Sequence, residues 1–433
     1  MKKKLVQISL FSAAVLVLAG CPPAVGDGGG DPGLDADGTG DPGVEMDTDL
    51  AESSPILRAS DAQPFDDFGF SVGIGDGYAI VGAPNEDTGG ATSGAAYLFE
   101  RDGSSWSEAA ILKASNPGAD DEFGWSVAID GTVAVVGAPG EDGELDAGPI
   151  AAGAAYVFER TASGWDEVAI LRASDAAPGD QFGFSVAVSG DVLVVGAPLE
   201  DGGGADLTQA GAAYVFRRGG SGWDEEAILR AADLQEFAEF GYSVGISGDY
   251  AIAGAPYRDA SDFDEGAAYL FEYDGSGWNQ EPRLEASDAQ QSDQFGYSVS
   301  ISGANAIVGA HFEDGGTGDP LSAAGAAYAF SRGPSGWSEA DILRASDAAP
   351  MNYFGRAVSV YGDFAVVGAH GPASFAGAAY FFSRDGFTWT AESILDASDA
   401  AADDVFGWSV AIGPDAAVFG APENEEGAAY VFE

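Results

Sequence analysis

Phe-Gly returns seven times in this chain, at Phe68, Phe123, Phe182, Phe240, Phe295, Phe354 and Phe406, in steps of 55, 59, 58, 55, 59 and 52 residues. Repetition at such a period means one structural unit per copy, with each unit burying its apolar face against the next. Each copy reads the same way. Phe-Gly opens a short apolar run, and a turn such as Ser189-Gly190-Asp191 leads to a second run ending in Gly-Ala-Pro. A loop then precedes Gly-Ala-Ala-Tyr, and a fourth segment runs from a tryptophan to Ile-Leu-Arg-Ala-Ser. Short Val, Ile, Phe and Tyr runs bounded by Gly and Asp are strand signals. The three-residue turns suit tight hairpins. Gly and Ala dominate the inner segments, where small side chains let strands crowd near an axis.

The pieces also predict how the ring closes. Six fourth strands follow a third strand, opened by Trp106, Trp165, Trp223, Trp278, Trp337 and Trp389, and the seventh copy ends at Glu433 without one. Ile56-Leu57-Arg58-Ala59-Ser60 is a fourth strand with no blade before it. The expectation is an all-β, seven-bladed propeller of four-stranded blades over residues 54–433, its last blade completed by residues 56–60 beside the Tyr430 strand. Closure of this kind leaves only short, protected edges.

The first 53 residues read differently. Three lysines precede an apolar run from Leu5 to Leu18, too short for a good membrane span and suited to a signal peptide over residues 1–20. Leu18-Ala19-Gly20-Cys21 resembles the lipobox of bacterial lipoproteins, which implies cleavage before Cys21 and lipidation of that residue. Cys21 is the only cysteine, so no internal disulfide forms. Residues 21–53 hold Gly, Pro and Asp with almost no large apolar group, and read as a disordered tether. The implied location is a bacterial cell envelope, at the outer membrane or cell surface, with the membrane contacted through the lipid.

The propeller repeats resemble the FG-GAP family, the propeller type of integrin α subunits and of many bacterial surface proteins. The resemblance covers residues 54–433 and implies a binding or adhesion module, non-enzymatic and monomeric as a propeller. Integrin-like blades often carry a calcium loop between first and second strands. Here those positions hold only short turns, such as Gly75-Asp76-Gly77 and Tyr361-Gly362-Asp363, so the family's usual calcium sites are expected to be missing.

Formal charge is −53, which repels nucleic acid and anionic surfaces and favours cations and basic partners, or serves solvation in salt. Strand direction puts the fourth-to-first and second-to-third loops on one face, which then holds 36 of the propeller's 61 acids against one loop base, Arg258. Four loops carry a Glu-Asp pair: Glu86-Asp87, Glu141-Asp142, Glu200-Asp201 and Glu313-Asp314; the longest adds Glu144 and Asp146. Clustered carboxylates on Gly-rich backbone are suitable calcium ligands, although adjacent carboxylates do not by themselves make a cage.

His311 and His370 both replace the proline of Gly-Ala-Pro, and Arg356 replaces the aromatic after Phe-Gly. Together they interrupt the acidic face and form a candidate patch for an anionic group or a soft metal. The tryptophans at blade period read as packing. Trp125 and Trp408 share the post-Phe-Gly position with Phe70, Phe184, Tyr242 and Tyr297; they read first as packing, and second as a stacking surface for sugar. No catalytic residue stands out: there is no nucleophile constellation, and nothing singles out one carboxylate pair. The leading expectation is a lipid-anchored module that binds a protein or glycan through its acidic long-loop face. The rivals are a lectin-like propeller, which needs aromatics beside carboxylates, and a propeller hydrolase or lyase, which needs two perturbed carboxyls in the channel.

Overall fold

A computed structural model describes residues 55–142, 151–203, 207–220, 222–259, 263–315, 321–371 and 376–433. Its strands form seven four-stranded antiparallel sheets. In the first blade these are Ser71–Gly75, Tyr78–Ala83, Ala95–Asp102 and Ser105–Leu112, ordered from axis to rim. The inner two strands are wholly buried, while the outer one alternates exposed and half-buried residues. That is the burial expected where blades pack face to face near an axis and separate towards the rim. The last blade contains Ile56–Leu57, which pairs antiparallel with Ala428–Phe432 in the register Ile56 to Tyr430 and Leu57 to Ala429. The ring thus closes through the N-terminal strand.

One outer strand departs from the repeat. In the fourth blade it shrinks to Trp278–Gln280. Pro282 follows, and a proline supplies no N–H for the ladder. Pairing resumes only as a bridge between Leu284 and Ala268.

Each blade core is built on the repeat's aromatics. Phe123 meets Tyr156 edge-on at 5.2 Å, and its counterparts do the same from Phe68 on Tyr97 to Phe406 on Tyr430. The buried tyrosine donates its hydroxyl to the corner after an outer strand: Tyr97 to Asp61 at 2.8 Å, Tyr156 to Asn116 at 2.9 Å, Tyr214 to Asp175 at 2.8 Å. A buried polar group is thereby satisfied and the loop leading to the next Phe-Gly is fixed. The blade-opening tryptophans reach between blades, as expected. Trp165 packs on Tyr78 at 5.5 Å, and Trp106 Nε1 donates to Glu433 at 3.1 Å.

The seams between blades explain the glycines. Gly153 forms a parallel bridge with Phe182 of the following blade. Its φ is +85°, and a Cβ there would lie 2.0 Å from the Phe182 carbonyl oxygen. Beside six of the seven seams a serine of the inner strand donates to the carbonyl of the next blade's Phe-Gly glycine: Ser71 to Gly124 at 2.8 Å, Ser126 to Gly183 at 2.8 Å, and onwards to Ser409, which reaches Gly69 at 2.9 Å. The sixth blade has Ala357 in that place. Ala357→Ser should supply the missing bond to Gly407 and raise stability by about 1 kcal/mol, measured as a shift in the denaturant midpoint. An unchanged or lowered midpoint would show that this seam has no room for the clasp.

Candidate functional site

The residue after each Phe-Gly enters the axis, and the seven of them close a ring there. Phe70 lies 4.8 Å from Trp125, Trp125 5.7 Å from Phe184, Phe184 4.9 Å from Tyr242, and Tyr242 5.0 Å from Tyr297. Arg356 takes the sixth place. Its Nη1 donates to the Tyr297 hydroxyl at 2.8 Å, and its guanidinium lies 3.5 Å from the centre of the Trp408 ring. Trp408 returns to Phe70 at 5.8 Å. The axis is therefore plugged by stacked rings and one guanidinium, held by aromatic and cation–π contacts.

Above this floor sits a second tier, the residue before each Phe-Gly: Asp67, Glu122, Gln181, Glu239, Gln294, Tyr353 and Val405. All seven adopt left-handed backbone, with φ between 53° and 58°. Such conformations cost a non-glycine residue about 1–3 kcal/mol and persist where surroundings over-determine them. Here the preceding blade supplies the constraint: the Glu122 N–H donates to Thr92 O at 3.1 Å, Gln181 to Ala151 at 3.2 Å and Glu239 to Gln209 at 3.1 Å.

Over blades one to three the two tiers enclose a cavity of about 410 Å3 on the long-loop face. Phe70, Trp125 and Phe184 make its floor, Pro84 and Pro139 flank them, and Asp67, Asn85, Glu122 and Gln181 supply its polar groups. Burial, reinforced by Glu423, pushes the Asp67 carboxyl up to about 6. Burial with Asp120 pushes Glu122 up to about 7, and burial with Asp264 does the same for Glu239 in blade four. Farther from the axis, Asp180 and Asp293 are raised to about 6 and about 7, again mainly by burial.

Raised carboxyls have a measurable consequence. Between about pH 4 and pH 7 these five carboxyls keep protons in the folded chain that the unfolded chain has released, and they outnumber the two buried histidines, His311 and His370, which act with the opposite sign below about pH 6.5. Stability should therefore fall as pH rises through that window, so the chain should melt later at pH 5 than at pH 8. Asp233 and Glu226 stay low because hydrogen bonds and arginine charges outweigh their burial, and they act with opposite sign below the window. Glu122→Gln and Glu239→Gln should flatten the profile; a wild-type melting curve insensitive to pH from 5 to 8 would contradict this account.

The structure gathers His311, Arg356 and His370 at one sector of the mouth, in blades five and six. The His311 ring lies tilted 3.9 Å from Tyr297, and His370 stacks 5.0 Å from Tyr353 and lies 5.4 Å from Trp408. Burial and then the Arg356 charge drive both imidazoles well below their usual pKa, so both are neutral near pH 7. Neither Nδ1 has a hydrogen-bond partner among the described residues. A guanidinium beside the imidazoles makes this sector less suited to a metal cation than to an anion or a hydroxyl.

The Glu-Asp pairs divide by role. Glu86, Glu141, Glu200 and Glu313 are buried and ion-paired with the cation that ends an outer strand: Lys113 at 3.2 Å, Arg172 at 2.6 Å, Arg230 at 2.9 Å and Arg344 at 3.0 Å. Counting bases only within loops misses these strand-end cations, and the face is correspondingly less bare of positive charge than the count implies. Asp87, Asp201 and Asp314 are exposed; Asp201 and Asp314 accept from the Gln209 and Ala323 N–H groups of their own loops. Asp142 is half-buried. Glu144 and Asp146 lie outside the described residues, as does Cys21. Among the described residues no three His, Cys, Asp or Glu side chains are arranged to hold a metal ion. On the opposite rim some arginines join neighbouring blades, Arg160 to Glu100 at 2.9 Å and Arg332 to Glu272 at 3.2 Å, while Arg217 pairs with Glu226 within its own blade.

Seven four-stranded blades, a plugged axis and one face of long loops define a closed β-propeller. The FG-GAP repeat family model matches seven times, at residues 55–99, 106–158, 165–216, 223–271, 278–330, 337–382 and 389–432, and the chain belongs to that family. No curated protein matches it. FG-GAP propellers are commonly binding or adhesion modules and typically non-enzymatic, and those of integrins often bind calcium.

Proposed function

We propose that this chain is a non-enzymatic binding and adhesion module, anchored at a bacterial envelope through lipid on Cys21, that meets its partner with the long-loop face. The observation that carries the reading is the cavity at the centre of that face, concave and rigidly framed by left-handed residues. An enzymatic reading draws less support. The two most raised carboxyls of the second tier, Glu122 and Glu239, stand in blades two and four, and each is perturbed by its own burial and a neighbouring loop aspartate. An acid–base pair sharing one reaction centre would perturb each other.

The surplus of carboxylate favours a basic partner. The test is retention of matched basic and acidic peptides on the immobilised chain as salt rises. Basic peptides should be retained and released by salt, and Asp87→Asn with Asp201→Asn and Asp314→Asn should weaken retention. Equal retention of both peptide types would remove the charge argument. Thermal unfolding in calcium against sodium chloride of equal ionic strength decides whether the loops also take calcium, since an ion bound only by the folded state stabilises it. Cys21→Ser should move the chain from the membrane fraction to the soluble one.

A further inference from the structure

We infer that the cavity over blades one to three is a saccharide site, taking a neutral sugar at the mouth of the central channel. This rests on the binding-module reading and names a ligand class for it. The lining pairs two kinds of surface. Phe70, Trp125 and Phe184 give aromatic carbon, with Trp125 only half-buried, and Pro84 and Pro139 extend it. Asp67, Asn85, Glu122 and Gln181 are all carboxylates or carboxamides. Each such group offers two hydrogen-bonding atoms on one planar head, which matches two neighbouring hydroxyls of a sugar ring. The C–H face of that ring would lie on the aromatics.

Other ligand classes fit less well. An anion meets no lysine or arginine in the lining and a strongly negative chain. A wholly apolar ligand would cover Glu122 and Gln181 without offering them a partner and leave Asp67 and Asn85 only each other, which binding penalises. An organic cation would use the carboxylates and the rings but would leave Asn85 and Gln181 idle. One Asp67 oxygen is also already engaged by Asn85 Nδ2 at 2.6 Å. A polyhydroxylated ligand uses all four, because hydroxyls both donate and accept. The volume of about 410 Å3 falls in the range of small-molecule sites and leaves room for a short saccharide. Asp67, Glu122 and Gln181 are held by left-handed backbone before the ligand arrives, so little ordering cost remains.

Past blade five the tiers change character: they hold Arg356, Tyr353, Trp408 and Val405, with His311 and His370 in place of the Gly-Ala-Pro prolines of blades five and six.

The experiment uses the whole chain and follows tryptophan fluorescence and calorimetric heat. Neutral mono- and oligosaccharides form one arm, uronic and sialic acids a second, arginine and tetramethylammonium a third. At least one neutral saccharide should bind and change the tryptophan signal. Glu122→Ala and Gln181→Ala should each weaken it about tenfold, as loss of a ligand hydrogen bond implies. Asp385→Asn, at an exposed strand end on the opposite rim, should change nothing. A deoxy analogue lacking the paired hydroxyl should bind far more weakly. Silence of every neutral sugar overturns the assignment, as does sugar binding that ignores Glu122→Ala and Gln181→Ala. Binding in the cationic arm alone also overturns it, while leaving the module reading intact. Failure of the module reading would show separately, as no retention of any peptide on the immobilised chain.

Discussion

Gly153→Ala is expected to abolish cooperative folding of the propeller, whereas Gly190→Ala should cost only about 1 kcal/mol. Both glycines have positive φ, +85° and +57°, so both substitutions pay the left-handed penalty of an L side chain. Their surroundings differ. Nothing lies within 4 Å of a Cβ at Gly190, in an open turn. A Cβ at Gly153 would meet the oxygen, nitrogen and carbonyl carbon of Phe182 at 2.0, 2.5 and 2.7 Å. All three are backbone atoms of the next blade, so no rotamer change relieves the contact, and the seam must open. Blades bury little surface alone, so an open seam removes the closure on which the others depend. Thermal unfolding of the two variants beside wild type is the check. A Gly153→Ala protein that melts within a few degrees of Gly190→Ala would show that the seams are softer than their geometry.

The second large effect is expected from removing the latch. A chain beginning at Asp61 lacks Ile56 and Leu57, which pair with Tyr430 and Ala429. It also lacks Pro55, whose carbonyl accepts from Val431 at 3.0 Å, and Arg58, which donates to Asn424 at 3.1 Å and the Gly427 carbonyl at 3.2 Å. The strand Ala428–Phe432 would become a bare edge carrying apolar side chains, and such edges recruit other chains. Reduced thermal stability and concentration-dependent self-association are expected by sedimentation, with both reversed by a peptide of residues 52–62 added in trans. A truncated chain that stays monomeric with an unchanged melting point would mean the ring holds without its latch.

The fold was legible because its signal is repeated. Seven copies of Phe-Gly, each followed by Gly-Ala-Pro or Gly-Ala-His, state the blade number, and the unmatched Ile-Leu-Arg at residue 56 states the closure. Pro282 was visible too, yet its effect on one outer strand depends on ladder register, which a blade count does not carry. The site was legible only in outline. His311, Arg356 and His370 announced themselves as departures from a repeat, and the structure does bring them together. The cavity made no such announcement, because Asp67, Glu122 and Gln181 vary within an unremarked position. The signal available was register: each stands immediately before Phe-Gly, beside an aromatic two places after the Phe. The Glu-Asp pairs misdirect in the opposite way. Adjacent in sequence, they look like joint ligands, but a loop turns one carboxylate inward onto Lys113, Arg172, Arg230 or Arg344 and leaves its neighbour outside or at the margin.

The latch also sets a load path. Whatever pulls on the chain before Pro55 transmits its force into the molecule through Ile56 and Leu57, two backbone pairs and the contacts of Arg58. Six other blades are each sewn from one continuous length of chain and lie behind that point. A tug from the N-terminal side therefore strains the joint that makes the propeller a ring before it strains any single blade. A propeller held from that end while gripping a partner has its mechanical fuse at its own closure.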